Sequence, residues 1–246
     1  MIEVRHLKKR FSEQIVLDDV SFQIENSESV AIIGRSGIGK SVLLKHLIGL
    51  LKPDEGEVLI DGENIVPMDE RQLLHVRKKF GMLFQGAALF DSMTVAENVA
   101  FALRRNAQWT EAEITRRVAD VLAVVDLSGT ENRNPAELSG GMRKRVGLAR
   151  AIIYEPQIVL YDEPTTGLDP IVADSIDKLI MHVRDRLKVT TVVVTHDMRT
   201  ARRVGQRVLM MHENKIYASG TPDEFFASQD PIVRQFVDGV ADARKN

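Results

Sequence analysis

The segment "SVAIIGRSGIGKS", residues 29–41, constrains the fold more than any other part of the sequence. Its first half is a short continuous apolar run, which is typical of a buried strand in a parallel sheet. Its second half, from Gly34 to Ser41, fits the pattern G-x-x-x-x-G-K-[ST], whose glycines let backbone N–H groups approach phosphate. A helix that begins at Lys40 adds the positive end of its dipole. The segment therefore predicts a strand, a phosphate-binding loop and a helix.

The charge balance argues against a protein that binds nucleic acid. The chain has 33 basic and 35 acidic residues, a net charge of −2, and nucleic-acid-binding domains usually show a basic excess. Basic runs occur at residues 77–79 and 143–145, and we interpret both as solvated helix faces.

Other features of the composition restrict the compartment and the chemistry. The chain contains no cysteine, which excludes disulfides and thiolate metal sites and agrees with a reducing compartment. The N-terminus alternates apolar and polar residues and shows no secretory signal. No apolar run approaches the ~20 residues needed to span a bilayer, so we expect any membrane role to come through a partner.

Strand and helix patterns alternate along the rest of the chain. "QIVLYDE" at 157–163 and "VTTVVVTHD" at 189–197 are typical of strands, and a helix pattern that Pro170 opens lies between them. The segment 86–155 is mainly helical, with Thr110 and Glu113 at the spacing of a capping box. Alternating strands and helices predict an α/β fold with a parallel sheet.

Two carboxylates end the strand "IVLYDE". Its apolar residues deliver Asp162 to the carboxyl edge of the sheet, where open α/β sheets bind ligands. We expect Asp162 to hold Mg²⁺ with the Ser41 hydroxyl, and Glu163 to polarise an attacking water as a general base. Lys40 is expected to reach the β- and γ-phosphates of a nucleotide.

Two further strands deliver polar side chains to the same edge. His196 follows "VVVT", and we interpret it as a contact to a γ-phosphate. Gln85 ends "KFGMLFQ" at the border of the helical segment, where it could touch Mg²⁺ or the attacking water. A second cradle, "ELSGGMRKR" at 137–145, has a hydroxyl and two glycines before a helix, but no lysine in the position of Lys40.

Together these motifs resemble the nucleotide-binding domain of ATP-binding cassette (ABC) proteins over residues 2–225. The resemblance implies a P-loop NTPase (RecA-like) parallel sheet core with an N-terminal antiparallel β subdomain and an inserted α-helical subdomain. One such domain would fill the chain, with the core at 1–85 and 156–225, the helical subdomain at 86–155 and a C-terminal tail at 226–246.

The resemblance also explains the incomplete cradle, because two cassettes dimerise head to tail and the "LSGGM" signature of one closes over the ATP of the other. Met142 stands where the family usually has glutamine. Glu163, His196, Lys40 and Gln85 are the expected catalytic residues, and Ser41, Gln85 and Asp162 the expected Mg²⁺ ligands. The residues expected to contact ATP are Phe11, Gly34, Arg35, Ser36, Gly37, Ile38, Gly39, Lys40, Ser41, Val42, Ser139, Gly140 and Gly141. Asp169 is expected to couple the two ATP sites.

A narrower resemblance joins "GMLFQGAALFDSMTVAENVAF", the Met142-containing signature and "RQFVDGVADA" to the Mla-type lipid-transport ATPases. It implies an ATPase that energises phospholipid trafficking between the inner and outer bacterial membranes as a peripheral homodimer at the cytoplasmic face of the inner membrane. The implied partners are an integral-membrane permease, an MCE-domain lipid-binding protein and a small STAS-like regulator.

Three alternatives stay open at this point. The same chemistry could serve another cargo, such as amino acids. A soluble cassette ATPase could act on DNA or ribosomes, although such proteins usually carry two cassettes, long coiled-coil insertions or a strong basic bias. A P-loop small-molecule kinase is a third class, and it would not need "LSGGM".

Overall fold

The computed structural model describes residues 1–105 and 108–240. Residues 241–246 of the predicted tail, and 106–107 of the predicted helical subdomain, lie outside the described residues. The strands are β1 (Ile2–Phe11), β2 (Gln14–Ile24), β3 (Ser29–Ile33), β4 (Glu55–Ile60), β5 (Glu63–Asn64), β6 (Phe80–Leu83), β7 (Ile158–Asp162), β8 (Thr190–Thr195), β9 (Arg207–His212) and β10 (Lys215–Gly220). The helices are α1 (Lys40–Leu47), α2 (Glu70–Arg77), α3 (Val95–Arg104), α4 (Glu111–Val124), α5 (Gly140–Ile152), α6 (Pro170–Leu187), α7 (Met198–Val204), α8 (Pro222–Ala227) and α9 (Pro231–Asp238).

The described chain forms two compact units, the first made of residues 1–76 and 192 onward, the second of residues 77–191. In the first unit, β2-β1-β4-β5 form an antiparallel sheet. A second sheet has the order β10-β9-β3-β8, with β3 and β9 parallel. The mixture of an antiparallel and a parallel sheet confirms the predicted α/β class.

Continuous β-branched runs explain the parallel strands. Every residue of β3 is buried, as in β8, because both faces of a parallel sheet are covered. One core cluster lies beside β3 and includes Ile33, Met210 and Phe225, with Val233 of α9 packed into it. The C-terminal helix α9 is therefore part of the core of the first unit.

The second unit contains the parallel pair β6 and β7 and the helices α3 to α6. The capping box predicted for α4 is present, since Thr110 accepts from the Glu113 N–H and Glu113 accepts from the Thr110 N–H. Pro170 occupies the first turn of α6, where its missing N–H costs nothing. Among residues 1–105 and 108–240, no helix is both long and apolar enough to cross a membrane.

Buried His46 makes the first unit sensitive to acid. The side chain is 1% exposed, and its Nδ1 lies 2.8 Å from the carbonyl oxygen of Val42. Burial, and to a smaller extent the positive charge of Lys9, lowers the pKa of His46. The unfolded state therefore binds the proton more readily, and the stability due to neutral His46 is lost as the pH falls below about 6.5.

We predict that His46→Gln flattens the fall in melting temperature between about pH 7 and pH 5.5, because it removes the group that must stay neutral. Melting temperatures across this range measure the slope for each variant. His182→Gln is the matched control, since His182 is exposed on α6. Equal slopes for wild type and His46→Gln would contradict the assignment.

Candidate functional site

The predicted phosphate-binding loop lies between buried strand β3 and helix α1. Gly39 immediately precedes the helix with φ 104°, a left-handed conformation that L side chains rarely adopt. A Cβ on Gly39 would lie 2.7 Å from the carbonyl oxygen of Val16 on β2. The loop is thus shaped both by its own backbone conformation and by close approach of the antiparallel sheet.

The lysine of the loop folds back over it. Lys40 is 5% exposed, and its Nζ donates to the carbonyl oxygens of Gly34 at 2.8 Å and Arg35 at 3.2 Å. These contacts hold the ammonium group beside the loop amides. Ser41 and Val42 follow on the first turn of α1, both half-buried.

A cleft of about 490 Å³ opens beside the first residues of the loop. Arg35 and Ser36 line it together with His196, which follows β8 and is exposed. The structure therefore brings His196 next to the start of the phosphate-binding loop. His196 precedes Asp197, the N-cap of α7, whose carboxylate accepts from the Arg199 N–H at 2.7 Å.

Helix α9 forms another wall of this cleft, which the sequence analysis did not predict. Gln235 and Phe236 line the cleft, and Arg35 Nη2 donates to Gln235 Oε1 at 3.0 Å. The signal in the sequence was the Asp230-Pro231 start of a short helix with an apolar face. Its place beside a loop two hundred residues earlier depends on tertiary packing.

Phe11 ends β1 with its ring 44% exposed. The Nζ of Lys9 lies 5.5 Å from the centroid of this ring. An exposed ring is available for stacking on a planar base. The adenine contact of Phe11 stays a prediction.

In the second unit, β7 carries the two predicted carboxylates into a buried position. Asp162 is 6% and Glu163 7% exposed. Glu163 has φ +48°, a conformation that costs a non-glycine residue on the order of 1–3 kcal/mol. Its Oε2 accepts from the Thr166 hydroxyl at 2.9 Å. The strained backbone and the hydroxyl together fix the direction of the carboxylate.

Gln85 follows β6 and is exposed. The next residues are held by Arg150 of α5, which donates to the carbonyl oxygens of Ala87 and Ala88, both at 2.8 Å. Ala87 and Ala88 have φ of 60° and 49°. Helix α5 therefore determines the shape of the loop that carries Gln85.

The second cradle forms the N-terminus of α5. Ser139 is the exposed N-cap and accepts from the Met142 N–H at 3.3 Å. Gly140 and Gly141 form the first turn, and a Cβ on Gly141 would lie 2.6 Å from Val172 Cγ1 of α6. An exposed hydroxyl thus lies at a helix N-terminus, whose dipole favours an anion.

Asp169 caps the neighbouring helix α6. Its Oδ1 accepts from the N–H groups of Ile171 and Val172, both at 3.0 Å. The carboxylate is exposed, and so is the side chain of Ile171, at 82%. Asp169 is structurally an N-cap, and its predicted coupling role stays a prediction.

The basic run 143–145 corrects one expectation. We interpreted it as a solvated face, but Lys144 is 6% exposed. Helix periodicity turns its side chain inward, where it donates to the carbonyl oxygens of Gln85 and Glu163. Its neighbours Arg143 and Arg145 lie on the more exposed side.

The predicted site residues form two groups in the structure. The first unit holds Phe11, the loop 34–42 and His196. The second unit holds Gln85, the signature 139–141, Asp162 with Glu163, and Asp169.

Comparison with protein families gives a direct match. Residues 17–166 match the family model described as "ABC transporter". The matched range includes the phosphate-binding loop, the signature and both buried carboxylates.

Two curated relatives are similar over almost the whole chain. The intermembrane phospholipid transport system ATP-binding protein MlaF of Escherichia coli K12 is 40% identical over 98% of this chain and 90% of its own length. The probable ribonucleotide transport ATP-binding protein mkl of Mycobacterium tuberculosis H37Rv is 42% identical over 97% of this chain. This chain spans only 66% of that relative.

A solved structure agrees in fold. The dimeric structure of a post-hydrolysis state of the ATP-binding cassette MJ0796, bound to ADP and Pi, superimposes with a TM-score of 0.83. It is 33% identical, and the match covers 90% of this chain and 99% of that one.

We predict that Gly39→Ala destabilises the protein and abolishes nucleotide binding. The left-handed conformation costs an L residue about 1–2 kcal/mol, and the clash with Val16 adds about 1–3 kcal/mol. Gly37→Ala is the control for conformation alone, because Gly37 has φ +81° and nothing within 4 Å of an added Cβ. Thermal melting should show a larger loss for Gly39→Ala, and equal losses would contradict the role of the close approach.

Proposed function

The chain belongs to the ABC transporter family, and from this premise we propose that it is the ATP-hydrolysing subunit of a transporter that moves phospholipid between membranes. The assignment of phospholipid as the cargo rests on the near-complete alignment with MlaF, at 40% identity over 98% of this chain. The complete set of motifs, in the order that the family uses, supports the ATPase activity.

Within the first unit, the contacts of the loop fit the phosphates of ATP. Lys40 is held against the loop backbone and would exchange the carbonyl oxygens of Gly34 and Arg35 for phosphate oxygens. Arg35 and Ser36 line the same cleft as His196, so His196 can reach a terminal phosphate that the loop holds. Phe11 would stack on the adenine.

The proposed magnesium ligands fit the chemistry of that ion. Ser41, Gln85 and Asp162 offer hydroxyl, amide and carboxylate oxygens, and Mg²⁺ in nucleotide sites is bound through one or two carboxylates together with substrate phosphates and water. Bound Mg²⁺ would neutralise phosphate charge during transfer.

Glu163 is the proposed general base. Glu163 is 7% exposed, the Thr166 hydroxyl orients its carboxylate, and a carboxylate in this position can accept a proton from water. Gln85 would orient the same water or report the nucleotide state to the surrounding loop. These roles follow from the residue types and their local geometry.

We propose that two copies form the working unit head to tail. Ser139 and the first amides of α5 present an anion site at the surface of the chain, without a lysine of their own. A terminal phosphate held on the loop of a second copy is the ligand that would complete it. The dimeric structure of the MJ0796 cassette supports a dimer as the working unit.

A membrane permease is the proposed partner of the helical subdomain. The surface of α3 has a cleft of about 210 Å³ lined by Met93, Glu97, Phe101, Arg104 and Arg105. Met93, Glu97 and Phe101 belong to the segment 81–101 that resembles the Mla-type ATPases. We place the subunit peripherally at the cytoplasmic face of the inner membrane, with an MCE-domain protein and a STAS-like regulator as further partners.

The division into core, helical subdomain and tail at residues 85, 155 and 225 is part of the same proposal.

We predict that Glu163→Gln lowers ATP hydrolysis by at least about 100-fold, because the neutral amide cannot accept a proton from water. Nucleotide binding should persist, and Mg·ATP should convert the variant into a stable dimer in light scattering. Glu213→Gln is the matched control, since Glu213 is exposed and outside both groups of site residues. A Glu163→Gln variant that stays monomeric in saturating Mg·ATP would contradict the proposal.

The cargo is tested by purifying tagged Glu163→Gln gently from native membranes and identifying the copurifying proteins and lipids by mass spectrometry. A permease with an MCE-domain protein and phospholipid is the expected result. A permease with a solute-binding protein would keep the mechanism and replace the cargo with a small molecule such as an amino acid. Ribosomes or DNA without a permease would contradict the transport function.

A further inference from the structure

Lys144 is a buried lysine that the proposed reaction does not yet use. It lies in the second turn of α5, five residues after the signature serine, and is 6% exposed. Lysine is almost never fully buried unless its charge and its donors are satisfied. Its surroundings therefore indicate what its amine holds.

The amine of Lys144 donates to two backbone carbonyls that are 78 residues apart in the sequence. Its Nζ donates to the carbonyl oxygen of Gln85 and, at 3.2 Å, to that of Glu163. Both acceptors belong to residues that we assign to the hydrolysis of ATP. A single side chain thus fixes the distance between the backbones of the two.

The Glu163 contact coincides with a strained backbone. Glu163 has φ +48°, and a conformation of this kind persists only where the surroundings impose it. The hydrogen bond to its carbonyl oxygen is one such restraint, and the Thr166 hydroxyl on its carboxylate is another. The Thr166 N–H also donates to this carbonyl oxygen, at 3.3 Å, so loss of the amine loosens the peptide that follows Glu163 and lets the carboxylate turn.

The charges near Lys144 explain why a lysine is tolerated in this place. Burial lowers the pKa of the amine, and the negative charges of Asp162 and Glu163 oppose that effect. The two hydrogen bonds require only N–H donors, which the amine offers in either charge state.

The neighbouring basic residues have different contacts. Arg143 donates to the carbonyl oxygen of Leu138 at 2.7 Å, and Arg145 donates to that of Val125 at 2.6 Å and to Asp126 at 2.8 Å. Of the three basic residues of this run, only Lys144 is buried and faces the catalytic strand. The contact is therefore a property of this position and not of a generally basic helix.

We propose that Lys144 is a positioning residue that links the signature helix to the Gln85 loop and to the backbone of Glu163, so that α5 controls the direction of the general base. This inference rests on the proposed function, in which Glu163 activates water. The N-terminus of α5 is the end that would meet the nucleotide of a second copy. A displacement of that end moves the amine, and the amine moves both carbonyls.

The proposal predicts a separation of turnover from affinity. Lys144→Met keeps an unbranched apolar side chain, one atom shorter than lysine, but removes the donors. We expect kcat for Mg·ATP hydrolysis by the full chain to fall about 10- to 100-fold, the range that misplacement of a catalytic group produces. The equilibrium affinity for ATP should stay within about twofold, because the phosphate-binding loop is in the other unit.

Two variants make the comparison specific. Lys144→Arg should retain kcat within about fivefold, because a guanidinium can donate to both carbonyls. Arg145→Met is the matched control. It also removes a hydrogen bond to a backbone carbonyl, that of Val125, and an ion pair with Asp126, but it removes no contact to Gln85 or Glu163. It should keep the wild-type kcat. If Lys144→Met does not fold, kcat of Lys144→Gln is compared with kcat of Lys144→Arg. The glutamine side chain is polar but too short to reach both carbonyl oxygens, so it provides the same test.

The outcomes separate this inference from the function on which it rests. A folded Lys144→Met with wild-type kcat, or parallel losses of kcat, affinity and melting temperature without rescue by arginine, would overturn the positioning role. Glu163→Gln is measured beside these variants. If it is inactive while Lys144→Met is fully active, only the Lys144 inference fails; if it retains the wild-type rate, the role of Glu163 and the inference fail together.

Discussion

A loop that binds phosphate through its backbone amides must be held rigidly from behind, and the first unit is organised around this requirement. Strand β3 ends at the loop and is wholly buried, which fixes its starting point. The carbonyl oxygen of Val16 on β2 closes in on Gly39, so the antiparallel sheet supports the end of the loop. On the side of the cleft, Gln235 of α9 accepts from Arg35. Strands of two sheets and helix α9 thus contact the phosphate-binding loop, residues 34–41.

Helix α5 has the corresponding place in the second unit. Gly147 packs so closely that a Cβ would lie 2.8 Å from Leu83 and 3.1 Å from Ala87, which brings the helix against β6 and the Gln85 loop. Arg150 then holds the carbonyl oxygens of that loop, and Lys144 reaches on to Glu163. The same helix begins with the exposed signature. The surface that we propose meets a second copy is therefore continuous with the backbone of the proposed base.

The sequence predicted those features that local patterns encode. The run "SVAIIG", the capping box of α4 and Pro170 at the start of α6 depend on residues close together in the chain, and the structure has all three. The α/β class followed from the alternation of these elements. Strand ends that carry Asp162 and His196 were also predictable, since an apolar run delivers the next polar residue to the sheet edge.

The features that were missed depend on contacts between distant residues. The run 143–145 has the composition of a solvated face, and only the packing of α5 on β6 shows that Lys144 points inward. The contact between Arg35 and Gln235 spans two hundred residues and has no local signal. The strain at Glu163 is likewise invisible in the sequence, because glutamate seldom adopts a positive φ.

The proposed roles divide between the two units, and this division has a mechanistic consequence. Groups that hold the phosphates, Lys40 and the loop amides, belong to the first unit, whereas Glu163 and the signature belong to the second. A single chain can then bind ATP tightly and still hydrolyse it slowly. The reason is that the base is directed by α5, and the N-terminus of α5 is completed only by a second copy in the proposed dimer. An ATPase that couples to transport needs this order of events: ATP that is hydrolysed before the two copies close drives no change in a partner, because only a difference in affinity between two states does work. Direction of Glu163 through α5 is a physical means of linking hydrolysis to closure.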